Sequence, residues 1–305
     1  MEHIITALIP IFSLILIGYS FRQINFPSEG FWPSADRLTY YVLMPSLLVY
    51  KLATATLDSI DGLNFVLTGL LGILIVLFIL IVLNMKMKMK GAAFSSVAQG
   101  TVRFNTYVFL ALSASLFGDE GLVLSALLIT FAIPLINIIC ITVFALYVSD
   151  SKLSFISLVK SIVSNPLILA CFIGGGINFI GFHIPIVVEN MLQILSSAAL
   201  PMGLLSVGVG LELKGLKETK NALFLSTSMK LVFLPIIMYV LGILLEINGL
   251  ALSVLLIFSA MPTAPSSFVL ARQLGGDVKL MSSIITLQTL VSIFTIAMII
   301  QIVVK

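Results

Sequence analysis

Charge is scarce in this chain of 305 residues. Only 10% of them are Asp, Glu, Lys or Arg, while 60% are hydrophobic, against roughly 25% charged in ordinary soluble domains. Mean hydropathy is +1.21, so a water-soluble fold could not hide its apolar surface. Histidine is nearly absent. His3 and His183 stand apart, and no His-Glu-x-x-His pair offers a catalytic zinc site. The two cysteines, Cys140 and Cys171, fall inside apolar segments. That excludes a disulfide framework or a thiolate metal cluster and suits small packing residues. No Gly-x-x-x-x-Gly-Lys-Ser/Thr loop is present to cradle ATP phosphates. The first apolar segment is preceded only by Met1, Glu2 and His3, so no basic n-region marks it as a cleavable signal peptide and it is expected to stay in the mature protein.

What fills the chain is apolar sequence in windows of about 20 residues, the length that spans roughly 30 Å of hydrocarbon. Ten such windows are predicted, near residues 4–21, 38–56, 63–84, 92–117, 121–148, 155–180, 190–211, 221–245, 249–272 and 280–304. The connectors are short, so the expectation is a single all-α integral membrane domain. Alternate connectors collect Arg22, Arg37, Lys86, Lys88, Lys90, Lys152, Lys160, Lys214, Lys217, Lys220, Arg272 and Lys279. The opposite set holds Asp58, Asp61, Asp119, Glu120, Glu189 and Glu246, with Lys51 and Lys305 its only cations. Lys and Arg are retained on the cytoplasmic side, which predicts a cell-membrane protein with both termini on the extracytoplasmic side. The asymmetry accounts for the net charge of +3 and leaves no nucleic-acid footprint. It also argues against an intramembrane aspartyl protease, because Asp119 and Asp277 fall at opposite membrane ends.

Proline and glycine punctuation repeats. Pro10, Gly18, Phe26 and Pro45 stand 156 residues before Pro166, Gly174, Phe182 and Pro201, and Leu116, Gly118 and Asp119 stand 158 before Leu274, Gly276 and Asp277. Residues 1–150 and 151–305 are thus expected to be two copies of one five-span repeat. With an odd number of spans the second copy enters the bilayer inverted, the architecture of secondary transporters that bind substrate at the repeat interface.

One apolar span carries a break. Met261-Pro262-Thr263-Ala264-Pro265-Ser266-Ser267 lies inside the ninth window. Proline removes a donor and clashes with the preceding turn, and broken backbone at membrane depth is tolerated only inside protein or beside a cavity. Under the 158 offset its mate is Asn105 to Phe109 in the fourth span. Pro262 and Pro265 have no proline counterparts there, so unwinding of the fourth span rests on symmetry and on Arg103, Asn105 and Thr106. Two cations, Arg103 and Lys230, lie deep within spans with no acid at like depth. Such groups mark pathways. An anionic substrate would partner them; the structural alternatives are that Arg103 bonds carbonyls at the break and that Lys230 pairs with Glu212. A helix restarting at Pro265 to Ser267, capped by serine, would present N–H groups and a positive dipole end to an anion. Asn165 before Pro166 reads as a cap or gate, Pro235 as a kink, and Gly174-Gly175-Gly176 and Gly208-x-Gly210 as close helix packing.

The chain resembles the auxin efflux carrier family, of the microbial malonate and malate permease-like type. The resemblance rests on Leu43-Met44-Pro45-Ser46-Leu47-Leu48, Arg103-Phe104-Asn105-Thr106, Ser164-Asn165-Pro166, Ala199-Leu200-Pro201-Met202-Gly203, the Met261 to Ser267 run, and Ala271-Arg272-Gln273-Leu274-Gly275-Gly276-Asp277. It implies ten transmembrane helices in two inverted five-helix repeats, crossing broken helices 4 and 9, and an elevator-like movement of a transport part against a scaffold part. The expected protein is a secondary transporter of small organic anions such as mono- or dicarboxylates, and not an enzyme. Substrate would be held by Arg103, Asn105, Thr106, Pro262, Thr263, Ala264, Pro265, Ser266, Ser267 and Lys230, with helix breaks or hinges at Pro45, Pro201, Pro262 and Pro265. No metal or cofactor is expected; Na+ or H+ coupling stays open, as does electrogenic uniport. An anion channel and a sodium-coupled organic-acid symporter of the bile-acid-symporter type are the alternatives. The expected partners are the organic anion and the lipid bilayer, with no nucleic acid; a homodimer is an assembly left open.

Overall fold

The computed structural model describes residues 2–28, 30–55, 62–148, 164–213 and 220–303. Residues 155–163 of the expected sixth span, with Lys160, and also Asp58, Asp61, Lys152, Lys214, Lys217 and Lys305, lie outside the described residues. Among the described residues all regular structure is helical. Six stretches are long and apolar enough to cross a membrane: Thr6–Gln23, Gly62–Met87, Gly91–Tyr147, Ile186–Val209, Lys220–Leu244 and Val278–Ile302. Two shorter apolar helices are Pro166–Phe179 and Gly249–Ser259. Helices suit this setting because each satisfies its own backbone groups away from water.

The distribution of side chains is that of a membrane protein. Phe224 is 73% and Phe294 72% exposed, whereas Gln99, Thr263, Ser267 and Gln288 are buried. Apolar groups gain nothing by leaving a lipid surface, so polar groups, which do gain from finding one another, collect inside.

The helices, in chain order, are α1 (Glu2–Gln23), α2 (Phe31–Leu38), α3 (Met44–Ala53), α4 (Gly62–Met87), α5 (Gly91–Val102), α6 (Thr106–Tyr147), α7 (Pro166–Phe179), α8 (Ile186–Val209), α9 (Lys220–Ser228), α10 (Leu234–Leu244), α11 (Gly249–Ser259), α12 (Ser266–Gln273) and α13 (Val278–Val303). Wider π-helical turns, Thr39–Leu43 and Met229–Phe233, join α2 to α3 and α9 to α10. Each ends two residues before a proline, Pro45 or Pro235. Widening the turn gives the pyrrolidine ring room against the preceding carbonyls. Helix α6 bends at Gly118, whose φ of 60° and ψ of −145° suit a residue without Cβ.

The chain forms two compact units. The first comprises Met1–Asp61, Tyr107–Thr130 and Val159–Gly210. Within it α1 packs along α8, and α3 along α7 and α8. Two contacts there are related by the sequence repeat. A methyl on Gly18 would overlap the Leu205 carbonyl, and one on Gly174 would lie 2.9 Å from the Val49 carbonyl oxygen. Gly174 stands 156 residues after Gly18, and Leu205 stands 156 after Val49. The close-packing expectation holds for Gly174 and for Gly208, which backs onto the Ile15 carbonyl. It does not hold for Gly175 and Gly176, which face open space; only one stripe of a helix can abut a neighbour. Asn165 caps α7, its side chain accepting from the Leu167 and Ile168 N–H groups at 3.0 and 3.4 Å. Lys51 pairs with Asp119 at 2.7 Å.

Pro45 and Pro201 are corrections to the expected breaks. The π-helical turn carries the helix through Pro45, and α8 runs on past Pro201 as one helix. Each proline costs a donor, but continuity is kept by the bonds on either side of it.

The second unit comprises Gly62–Thr106, Phe131–Leu158 and Leu211–Lys305. Helix α13 packs on α5, α9, α11 and α12, while α10 packs on α4 and α11. Asp277 starts α13 by accepting from the Leu280 N–H at 3.0 Å. Its own N–H donates to the Ala92 carbonyl, and its carbonyl accepts from Ser96 Oγ. The start of α13 is thereby tied to the start of α5.

Candidate functional site

Two interruptions meet in the second unit. Helix α5 ends at Val102 because Arg103 turns extended, at φ −71° and ψ 153°; Arg103, Phe104 and Asn105 are non-helical and α6 resumes at Thr106. The fourth span therefore does unwind, without a proline. Helix α11 ends at Ser259, residues Met261 to Ala264 are non-helical, and α12 begins at Ser266. The Asn105 N–H donates to the Pro262 carbonyl at 2.7 Å. Phe104 and Phe258 flank this contact edge to face, with ring centres 4.7 Å apart.

An unwound segment at membrane depth must find partners for its backbone. Two buried amides supply them. Gln288 of α13 accepts from the Thr263 N–H at 2.9 Å through Oε1, and its Nε2 donates to the Gly100 carbonyl at 3.0 Å and to Ser226 Oγ at 3.3 Å. Gln99 Nε2 donates to the Ser267 carbonyl at 3.2 Å. Thr263 Oγ1 and Ser267 Oγ share a hydrogen bond at 3.2 Å. The sequence reading missed Gln99 and Gln288. The available signal was an amide in the middle of an apolar span, Gln288, and another one turn before Arg103; uncharged, neither stood out.

Arg103 reaches across the crossing. Its Nη1 donates to Ser266 Oγ at 3.2 Å and its Nη2 to Asn137 Oδ1 of α6 at 2.6 Å, while Nε is buried without a partner. Both partners are neutral. Among the described residues the recorded ion pair is Lys51 with Asp119, so no acid offsets the guanidinium. This differs from the structural alternative, in which Arg103 would be consumed by carbonyls at the break. The serine-cap expectation is corrected. Pro265 stands at the N-cap of α12, no side chain caps it, and the Ser267 and Phe268 N–H groups fold back onto the Ala264 and Pro265 carbonyls. Proline fixes φ for the turn, leaving Ser266 Oγ free to accept from Arg103.

Of the expected site residues, then, Arg103, Asn105, Pro262, Thr263, Ser266 and Ser267 are joined by hydrogen bonds, with Thr106, Ala264 and Pro265 contiguous to them in the chain. Lys230 is not joined to them. It sits in the π-helical turn, fully buried, with Nζ 5.8 Å from the centre of the Phe258 ring. Its expected alternative partner, Glu212, instead accepts from Ser282 Oγ at 2.8 Å.

The arrangement presents a fixed cation and hydroxyls beside unwound backbone, a setting suited to binding and lacking a nucleophile paired with a base. Comparison with known proteins agrees. Residues 151–300 match the family described as membrane transport protein. A Rhizobium meliloti protein named "Putative malonate transporter" is 24% identical, over 97% of this chain and 94% of its own. An uncharacterized transporter of Methanocaldococcus jannaschii is 25% identical, over 93% of this chain and 94% of its own. One from Methanothermobacter thermautotrophicus is 25% identical over 92% of each. The sequence motifs, the helical membrane architecture and these likenesses converge on a membrane transport protein, similar to the auxin efflux carriers, and not an enzyme.

Proposed function

We propose that this chain is a secondary carrier of small organic anions, mono- or dicarboxylates, that binds its substrate at the crossing of the two broken spans. The observation that carries the reading is Arg103, a permanent cation at the crossing whose two recorded partners are both neutral. A buried or half-buried charge without a counter-charge is costly, and a substrate carboxylate would offset it with the bidentate geometry guanidinium favours. Ser266, Thr263 and Ser267 add hydroxyls, and Asn105 and Thr106 adjoin them. The name of the Rhizobium meliloti relative makes malonate the first substrate to test.

The topology proposed with it is ten spans in two inverted repeats, residues 1–150 and 151–305, in the cell membrane with both termini extracytoplasmic. It is supported by the paired Gly18–Leu205 and Gly174–Val49 contacts, each member displaced by 156 residues, and by breaks displaced by 158. The nine candidate binding residues of the crossing belong to one compact unit. That supports elevator-like alternating access, with the unit carrying its site as it moves.

Two measurements test the proposal. Reconstituted protein should show saturable malonate counterflow; unitary currents would identify a channel instead. Arg103→Gln should weaken carboxylate binding by about 1.5–3 kcal/mol, roughly tenfold to a hundredfold, with unchanged expression. Undiminished transport by that variant would remove Arg103 from the site.

A further inference from the structure

Lys230 is the one fully buried cation among the described residues, and the crossing does not use it. Its Nζ has no hydrogen-bond partner; its only recorded contact is the face of Phe258. The π-helical turn that holds it packs on α4, α5, α9, α10 and α13. The ionisable groups on those elements and at their ends are Lys86 on α4, Lys90 and Arg103 flanking α5, Lys220 at the start of α9, Tyr239 on α10, and Asp277 and Lys279 at the start of α13, with Glu212 bonded to Ser282 of α13; the two acids have other partners, Asp277 the Leu280 N–H and Glu212 the Ser282 hydroxyl. Helix α11, which brings Phe258, carries no ionisable group. Among the described residues no acid pairs with this ammonium, and a buried charge without a counter-charge is costly. Only the aromatic face beside it favours the charge.

A second observation concerns the neighbouring helices. Ser95 Oγ, Gln99 Oε1 and Arg103 Nε are all buried without partners. They follow one another at four-residue spacing and so share one face of α5 and its end. Thr227 Oγ1, three residues before Lys230 and so on the same helix face, is likewise buried and unpartnered. Polar atoms left this way call for water or a passing ion. Helix α5 packs against both α9 and the π-helical turn, so the two unpartnered sets lie on adjoining elements. The Ser95, Gln99, Arg103 row ends at the crossing itself.

We infer that Lys230 is the proton-coupling site of this carrier, a buried amine that takes up a proton when a carboxylate occupies the crossing and gives it up when the carboxylate leaves. The inference rests on the crossing as substrate site. Phe258 links the two, its ring lying 4.7 Å from that of Phe104 at the break and 5.8 Å from Lys230 Nζ, centre to centre and centre to atom. An arriving anion supplies the negative potential the amine lacks. The proton comes from water on the side where substrate enters, sits on the Nζ lone pair during the crossing and returns to water on the far side. Carboxylate and proton therefore travel together, with no carboxyl side chain of the protein taking part. The unpartnered oxygens on α5 and α9 are the stations at which water would relay that proton.

The test uses the full chain in sealed vesicles with the membrane potential clamped, malonate and a panel of mono- and dicarboxylates as probes, and proton flux recorded with carboxylate flux. About one proton should move per carboxylate, and a pH gradient alone should drive accumulation. In detergent, malonate binding to the wild type should take up a proton from a weakly buffered solution. Lys230→Met and Lys230→Arg, the second fixing the charge, should bind without proton uptake. Carboxylate flux with no proton movement overturns the coupling, and proton uptake that survives in Lys230→Met overturns the assignment to Lys230. Failure of the wild type to transport any carboxylate overturns the substrate reading and this inference with it.

Discussion

In the ninth span the chain leaves the helix after Ser259 and re-enters at Ser266, with two prolines in the interval; in the fourth it is out for only three residues, Arg103 to Asn105, none of them proline. Both breaks reach the same place, and the Asn105 N–H bonds directly to the Pro262 carbonyl. The first kind of break is written locally, since proline cannot complete the helical ladder whatever surrounds it. The second kind depends on its surroundings. With no local breaker in the fourth span, the unwound form wins because groups elsewhere in the unit accept or donate what the helix would have used: Gln288 takes the Gly100 carbonyl, Pro262 takes the Asn105 N–H, and Arg103 is drawn across to Ser266 and Asn137. A crossing built from one self-made break and one captured break should respond unequally to mutation.

The largest effect is expected at Gln288, because it serves both breaks at once. Replacing it with Met keeps the volume but strands the Thr263 N–H and the Gly100 carbonyl, both in a buried setting. Unsatisfied groups cost about 1–3 kcal/mol each, and polar pairs in membranes measure smaller, near 0.6 kcal/mol on average. Taken together, a loss of about 2–4 kcal/mol is expected, with carboxylate transport abolished. Thermal unfolding in detergent measures the first and counterflow the second. A wild-type melting curve for Gln288→Met would show that the amide is a passenger and that the breaks stand without it.

Gln99→Met comes next. It frees only the Ser267 carbonyl at 3.2 Å, which lies within the first turn of α12. About 1 kcal/mol is expected, with a several-fold rise in the carboxylate concentration needed for half-maximal transport, since Ser266 and Ser267 would be less firmly placed. A larger loss than at Gln288 would reverse the ranking and make α12, not the fourth-span break, the less secure element.

How much of this was legible beforehand follows the same division. The ninth-span break could be read from Pro262 and Pro265 alone, and the apolar windows located most of the described helices within a few residues, but not α2 (Phe31–Leu38), which falls before the expected second window. The fourth-span break was legible through the 158-residue offset, the polar residues Arg103, Asn105 and Thr106 and the family resemblance, because nothing in Arg103-Phe104-Asn105 by itself forbids a helix. The clamp could not be read at all. Gln99 and Gln288 are ordinary helix formers, and their role comes from which carbonyl and N–H a distant span brings within reach. Pro45 and Pro201 show the converse: proline marks strain, but a π-helical turn or the bonds on either side can absorb it, and the sequence does not say which. Lys230 was visible as a deep cation; that Glu212 bonds instead to Ser282, 70 residues away in the chain, was not.

The smallest effect is expected where the sequence signal was strongest. Pro265 stands at φ −57° and ψ −31°, angles that alanine adopts without strain. Pro262 contributes its carbonyl to Asn105, and any residue has a carbonyl. Exchanging each for alanine loosens the unfolded chain at a cost of about 0.4–1 kcal/mol, and it restores N–H groups that could let α11 grow forward. Growth would require the Thr263 N–H to leave Gln288, and would pull residue 262 out of register with Asn105. If the clamp outweighs the helical propensity regained, the double variant Pro262→Ala/Pro265→Ala keeps both breaks, loses no more than about 1–2 kcal/mol in unfolding and transports malonate within a few-fold of wild type. Loss of transport with the melting temperature retained would mean the opposite: the prolines would then hold the ninth-span break open and the amides merely decorate it. Combining the double variant with Gln288→Met separates the two cases, because only when both devices hold the same break does the triple variant lose more than the two sets of changes add up to.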